Sequence, residues 1–126
     1  LLGGKEDFEV GEQIPKHFED QQNNIIYNAC GQYNLNQSAS LVKQADLIVS
    51  HDTGLMHMPA AFKKKTISIW GTTVPEFGMN PYKTDFEVLE VKGLSCRPCS
   101  KIGYNKCPQG HFKCMRNQDL SVLAKL

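Results

Sequence analysis

Residues 46–70 constrain the fold more than any other part of the chain. Leu47-Ile48-Val49 is a short apolar run that Ser50-His51-Asp52-Thr53-Gly54 brings to a stop. Residues 54–62 then have the spacing of a short helix, and Thr66-Ile67-Ser68-Ile69-Trp70 resumes an apolar, β-branched run. A strand that stops at an Asp-Thr-Gly turn, enters a helix and returns as a strand is a βαβ unit, whose two strands must be parallel.

The same alternation runs along the whole sequence. Leu1-Leu2 has the character of a strand stub, and Gly3-Gly4 of the turn after it. Phe8, Gly11 and Ile14 or Phe18 can share one helix face, with Pro15 weakening or ending that helix. Ile25-Ile26-Tyr27 is a second short strand. Asn36, Gln37 and Ser38 offer caps for a helix through Gln44 that buries Ala39, Leu41, Val42 and Ala45. Strands are expected at 46–50, 66–70 and 86–91. Residues 71–82, with two prolines and two glycines, are expected to form a long loop and not a helix. Residues 117–126 have the pattern of a helix. The expected class is α/β, a parallel sheet flanked by helices.

Size and charge narrow the functions open to this fold. A chain of 126 residues fits one compact domain that buries roughly two-thirds of its unfolded surface. Lys plus Arg number 14 against 13 Asp plus Glu, so no overall field favours nucleic acid or an anionic membrane. The apolar runs are far shorter than the ~20 residues that span a bilayer, and no signal peptide opens the sequence. A cytoplasmic protein is expected. The first residue is Leu, and the sequence reads as a piece of a longer one.

Charge on a ligand must therefore be met locally, and the turn at 52–54 is built for that. The first amides of a helix have no intrahelical acceptor, and its dipole is positive at that end. Gly54 removes the Cβ that would hold a phosphate away from the backbone, and Thr53 can cap the helix. His57 lies one turn in, where an imidazole meets the same anion. The expected anion is a pyrophosphate. Gly71-Thr72-Thr73, after the next strand, is a second loop at the carboxyl edge, where parallel sheets bind ligands.

These segments also resemble a known family. The stretch Ala45-Asp46-Leu47-Ile48-Val49-Ser50-His51-Asp52-Thr53-Gly54-Leu55-Met56-His57-Met58-Pro59-Ala60-Ala61 is similar to the heptosyltransferases of glycosyltransferase family 9. So are Thr66-Ile67-Ser68-Ile69-Trp70-Gly71-Thr72-Thr73 with Pro75, Cys96-Arg97-Pro98-Cys99, Cys107-Pro108-Gln109-Gly110-His111 and Cys114-Met115. The resemblance covers essentially the whole chain. It departs at Gly78-Met79-Asn80-Pro81-Tyr82, which is longer than the compact Gly-Pro-Tyr ending of the family loop.

The resemblance implies a Rossmann-like lobe, the C-terminal half of a bi-lobed GT-B fold, occupying residues 1–126 and lacking an N-terminal acceptor lobe. It implies that Asp52 bonds hydroxyls of the transferred sugar. Thr53 and Gly54 would hold the pyrophosphate through their amides, with His57 beside them. Gly71, Thr72 and Thr73 would close over the donor, and Glu6 or Asp7 would contact its ribose. The implied function is donor binding in an inverting transfer of heptose from ADP-heptose to the lipopolysaccharide inner core. No cofactor would be required. The implied partners are the nucleotide-sugar donor and, through the missing lobe, a lipid-linked saccharide acceptor, with no nucleic acid and at most peripheral contact with the inner face of the bacterial inner membrane. The catalytic base would belong to the missing lobe, so the isolated piece would bind nucleotide weakly and turn over nothing.

The cysteines of the segment 96–114 leave two readings open. Cys96, Cys99, Cys107 and Cys114 could hold a structural zinc, with His111 among them, or be reduced and packed. Cys30 stands apart as a small buried hydrophobe. Two other functions compete with transfer. One is a zinc-stabilised, non-catalytic module whose Arg97, Lys101, Lys106 and Lys113 touch nucleic acid. The other is a GT-B-type sugar-nucleotide epimerase.

Overall fold

The computed structural model describes residues 1–18 and 25–125 and resolves the chain into two compact units, residues 1–41 and 42–126. In the first unit a 3₁₀ turn, Lys5–Asp7, leads into helix α1, Phe8–Lys16. Asp7 holds that turn, because its Oδ2 accepts the Gly4 amide at 2.8 Å. Pro15 sits inside the last turn of α1, which ends one residue later. Gly11 is buried on this helix, Ile14 is half-buried, and Phe8 and Phe18 are exposed, so the expected apolar face is only partly covered.

Asn28 organises the interior of this unit. Its side-chain amide donates to the Phe8 carbonyl at 3.1 Å and to Glu12 Oε1 at 2.8 Å, while its Oδ1 accepts the Cys30 amide at 3.2 Å. A Cβ on Gly11 would come within 2.5 Å of that same Oδ1. Gly11→Ala is therefore expected to cost about 1–3 kcal/mol, although alanine is the better helix former. Urea unfolding checks this, and a stabilised variant would contradict it. Cys30 is buried, as expected of a small hydrophobe.

The two expected strands of this unit do not form. Leu1 and Gly3 do pair in parallel fashion with residues 27–31, through Leu1 N to Tyr27 O, Ala29 N to Leu1 O and Gly31 N to Gly3 O. The pairing stops at the Gly3-Gly4 turn before a regular ladder is established.

Helix α2, Leu35–Gln44, starts one residue before the expected caps. Its N-cap is Asn34, whose Oδ1 accepts the Gln37 amide at 3.0 Å while Gln37 Oε1 accepts the Asn34 amide at 3.0 Å. This reciprocal pair satisfies two amides that Asn36 could not reach together. Val42 and Ser38 are buried, Ala39 and Ala45 are half-buried, and Leu41 is exposed, against expectation.

The second unit carries a three-stranded parallel sheet in the order β1, Leu47–His51; β2, Lys65–Trp70; β3, Phe86–Glu90. Leu47 pairs with Lys65 and His51 with Ile69, while Thr66 pairs with Phe86 and Trp70 with Glu90. The central strand is covered on both faces. Thr66, Ile67, Ser68 and Trp70 have no accessible surface, as a strand between two parallel neighbours requires. The polar atoms on it are bonded: Trp70 Nε1 donates to Ser68 Oγ, which donates to the Glu87 carbonyl.

Between β1 and β2 lie a 3₁₀ turn, Gly54–Met56, and the short helix α3, His57–Ala61, in place of one continuous helix. Residues 71–85 join β2 to β3. They form the long loop expected there, without an α-helix, and include a 3₁₀ turn, Pro75–Phe77, which Pro75 opens and Gly78, at φ 80°, closes. The expected terminal helix is broken. Helix α4, Lys113–Arg116, stops at Asn117, and a 3₁₀ segment, Leu120–Lys125, follows. No helix among the described residues is long and apolar enough to cross a membrane.

Candidate functional site

The carboxyl ends of β1 and β2 bring two expected loops together. Asp52 continues the ladder past β1, its amide donating to the Ile69 carbonyl at 3.2 Å. That bond fixes the backbone at the residue where the chain leaves the sheet. From the loop after β2, Thr73 Oγ1 donates to Asp52 Oδ2 at 2.5 Å. Thr73 is 4% exposed and Asp52 half-buried, so the bond is shielded on one side and the carboxylate is open on the other. A carboxylate has capacity for several donors, and Thr73 uses only part of it.

Thr53 precedes the 3₁₀ turn in an extended conformation, φ −145°, and its carbonyl accepts the Met56 amide at 3.0 Å. Its hydroxyl makes no cap, contrary to expectation. The backbone thus closes the turn itself, leaving the Thr53 side chain half-buried and uncommitted at this position. Gly54 is exposed, and a Cβ there would meet nothing within 4 Å. Packing within the protein does not demand glycine here, whereas close approach of a ligand to the amides would. His57 is exposed at the first position of α3, and no hydrogen bond or ion pair among the described residues holds its ring. Met56 beneath it has no accessible surface and anchors the turn.

The remaining expected residues have definite places. Gly71 and Thr72 are half-buried on the loop after β2. His51 is exposed at the end of β1. Glu6 and Asp7 belong to the first unit, where both are exposed and Asp7 already accepts the Gly4 amide.

The cysteine-rich segment departs from a formed metal centre. Among the described residues no three His, Cys, Asp or Glu side chains are grouped so as to hold an ion. His111 Nδ1 accepts the Lys113 amide at 3.1 Å, which leaves the proton on Nε2, 3.9 Å from Cys96 Sγ. The ring therefore offers a donor to that sulfur. Burial pushes the Cys99 and Cys114 thiols up from their ordinary range. The Phe112 amide, 3.4 Å from Cys107 Sγ, pulls that thiol down, with the Gln109, His111 and Gly110 amides adding to it. Because the thiolate is the nucleophile, Cys107 is expected to alkylate first as pH rises toward neutrality, with Cys99 and Cys114 last. Mass spectrometry after timed iodoacetamide exposure reads the order directly, and labelling of Cys114 ahead of Cys107 would contradict it.

One basic side chain is placed otherwise than expected. Arg97, expected among basic residues available to nucleic acid, has a side chain only 5% exposed and is paired with Glu90 at 3.0 Å. It is committed to the protein interior. Lys101, Lys106 and Lys113 remain exposed.

Comparison with known proteins agrees with this architecture. Residues 1–108 match the family model "Glycosyltransferase family 9 (heptosyltransferase)". The chain is 32% identical over 105 residues to "Lipooligosaccharide heptosyltransferase 2" of Haemophilus influenzae, covering 82% of this chain and 30% of that protein. It is 30% identical over 115 residues to the protein of the same name from Campylobacter jejuni, covering 90% of this chain and 34% of that one. The chain thus spans about a third of the length of these relatives. Among solved structures, a family 9 glycosyl transferase from Veillonella parvula superimposes with a TM-score of 0.72 at 21% identity, over 98% of this chain and 33% of that one. The E. coli ADP-heptose lps heptosyltransferase II superimposes with a TM-score of 0.67 at 24% identity, over 100% of this chain and 37% of that one. Its fold is accordingly that of the GT-B-type family 9 enzymes, and the chain belongs to glycosyltransferase family 9, the heptosyltransferase family.

Proposed function

We propose that this chain is the C-terminal, donor-binding lobe of an inverting glycosyltransferase that moves heptose from ADP-heptose to the inner core of lipopolysaccharide. The observation that carries this reading is the bond from Thr73 to Asp52, which joins two carboxyl-edge loops beside the open Gly54 backbone. Asp52 accepts hydroxyls of the transferred sugar. The amides of Thr53 and Gly54 and the exposed His57 ring meet the pyrophosphate. Gly71 and Thr72 lie on the loop that closes over the donor. The ribose hydroxyls are assigned to Glu6 or Asp7, on the turn that resembles the family's.

In the transfer, an acceptor hydroxyl attacks the anomeric carbon, the bond to the pyrophosphate breaks, and ADP leaves with the electron pair. Amide donors and an imidazole at the leaving oxygens stabilise charge as it develops, and removal of one such donor typically costs about 100- to 1,000-fold in rate. The base that takes the acceptor proton belongs to the other lobe, which also binds the lipid-linked acceptor. The reaction takes place at the cytoplasmic side of the inner membrane, where contact with the bilayer is peripheral.

The full-length protein, given ADP-heptose and a heptose-deficient lipopolysaccharide acceptor, is expected to release ADP and extend the acceptor with inversion at the anomeric carbon. Release should persist in EDTA, because amides and His57 neutralise the leaving group. A strict magnesium requirement, or epimerised sugar nucleotide in place of an extended acceptor, would overturn the reading. These 126 residues alone should give no transfer.

A further inference from the structure

The geometry points to Arg97 as a positioning residue that sets the Asp52 carboxylate through Thr73. This inference rests on the reading of Asp52 as a sugar-binding group.

The segment 97–118 folds back along the loop that follows β2 and takes up its carbonyls in turn. Gln118 Nε2 donates to the Trp70 carbonyl at 2.9 Å, and the Cys99 amide donates to the Thr72 carbonyl at 2.9 Å. Arg97 Nη2 donates to the Thr73 carbonyl at 2.8 Å. At Gly71 the approach is so close that a Cβ would lie 2.6 Å from Met115 Sδ. The backbone is therefore held at Trp70, the end of β2, and at Thr72 and Thr73 of the loop, and the Thr73 hydroxyl reaches Asp52.

Arg97 is the strongest of these holds. Its guanidinium also donates from Nη1 to the Val91 carbonyl at 2.8 Å and pairs through Nη2 with Glu90 Oε2 at 3.0 Å. A buried charge is tolerated only when paired and hydrogen-bonded, and here one planar fork ties the end of β3 to the Thr73 backbone. Rotation of the Thr73 backbone would break a charge-assisted bond as well as move the hydroxyl off Asp52 Oδ2. A lysine keeps the charge but is a point donor that cannot span the three acceptors in fixed geometry.

The test compares donor kcat/KM of the full-length protein with that of Arg97→Lys, Thr73→Val, Thr73→Ser, Asp52→Ala and the double variant Arg97→Lys with Asp52→Ala. Circular dichroism verifies folding, and Lys65→Gln, in an exposed ion pair, serves as an unaffected control. Small displacements of a reacting group cost up to about 100-fold, so Arg97→Lys and Thr73→Val are each expected to lose about 10- to 100-fold, with Thr73→Ser recovering most of it. In the Asp52→Ala background, Arg97→Lys should add little, because residues acting through one group are not additive. Full activity of Thr73→Val beside an impaired Asp52→Ala overturns the inference and leaves the donor site standing. Losses that simply multiply in the double variant also overturn it, showing a general role in folding. Full activity of Asp52→Ala overturns both. If Arg97→Lys fails to fold, Thr73→Val against Thr73→Ser decides.

Discussion

Asp52→Ala is expected to lower heptose transfer by the full-length protein about 100-fold, with the fold intact. The carboxylate stands at the first position beyond β1, its amide still in the ladder with Ile69 and one oxygen fixed by Thr73. A group held from both ends in this way is preorganised, and hydrogen bonds to a charged acceptor are worth about 1.5–3 kcal/mol, or roughly 10- to 150-fold each. Loss of the side chain would remove the proposed sugar contacts and leave the Thr73 hydroxyl without its acceptor. Asp52→Asn keeps an acceptor of similar shape and should be affected less. Steady-state kinetics with varied donor separates the two, and wild-type turnover by Asp52→Ala would remove Asp52 from the site.

The largest effect on stability is expected at Trp70. Its side chain has no accessible surface on the central strand, and truncation of a buried aromatic costs about 3–5 kcal/mol. Trp70→Ala would also strip the donor from Ser68 Oγ and leave a cavity beside the central strand. For a small domain this is a large share of a total stability of about 5–15 kcal/mol. Urea unfolding should show a markedly lower midpoint, and an unchanged midpoint would show that the sheet interior relaxes around the loss. Trp70→Phe, which fills most of the volume, should cost less.

Three strands were readable because each combines an apolar or β-branched run with a clear stop, and β1, β2 and β3 fall within a residue of expectation. The Asp52 position followed from the same logic, since the end of a parallel strand is where a turn must leave the sheet. Local chemistry was less transparent at the helix starts. Thr53 does not cap because the backbone closes its own 3₁₀ turn, and Asn34 displaces Asn36 because it can trade bonds with Gln37. Leu1-Leu2 and Ile25-Ile26-Tyr27 carry strand residues, yet only a few bonds join them. A run of apolar residues does not fix how far a ladder extends.

The contacts of Arg97 were not legible at all. Arg97 sits between two cysteines in a segment without helical or strand periodicity, and its partners lie at 73, 90 and 91. Nothing local distinguishes a guanidinium destined for burial from one facing solvent. The terminal residues misled for a related reason: Gln118 spends its side-chain amide on the Trp70 and Cys114 carbonyls, and the α-helical pattern that precedes it breaks at Asn117.

The turn at 52–54, with His57, is proposed to hold the donor. Calorimetric titration of the full-length protein with ADP, UDP, GDP and ADP-heptose tests it most directly. ADP should bind more tightly than UDP or GDP, His57→Ala should weaken both ADP and ADP-heptose, and Asp52→Ala should weaken ADP-heptose more than ADP. Preference for UDP, or affinities indifferent to both substitutions, would place the donor elsewhere on the protein.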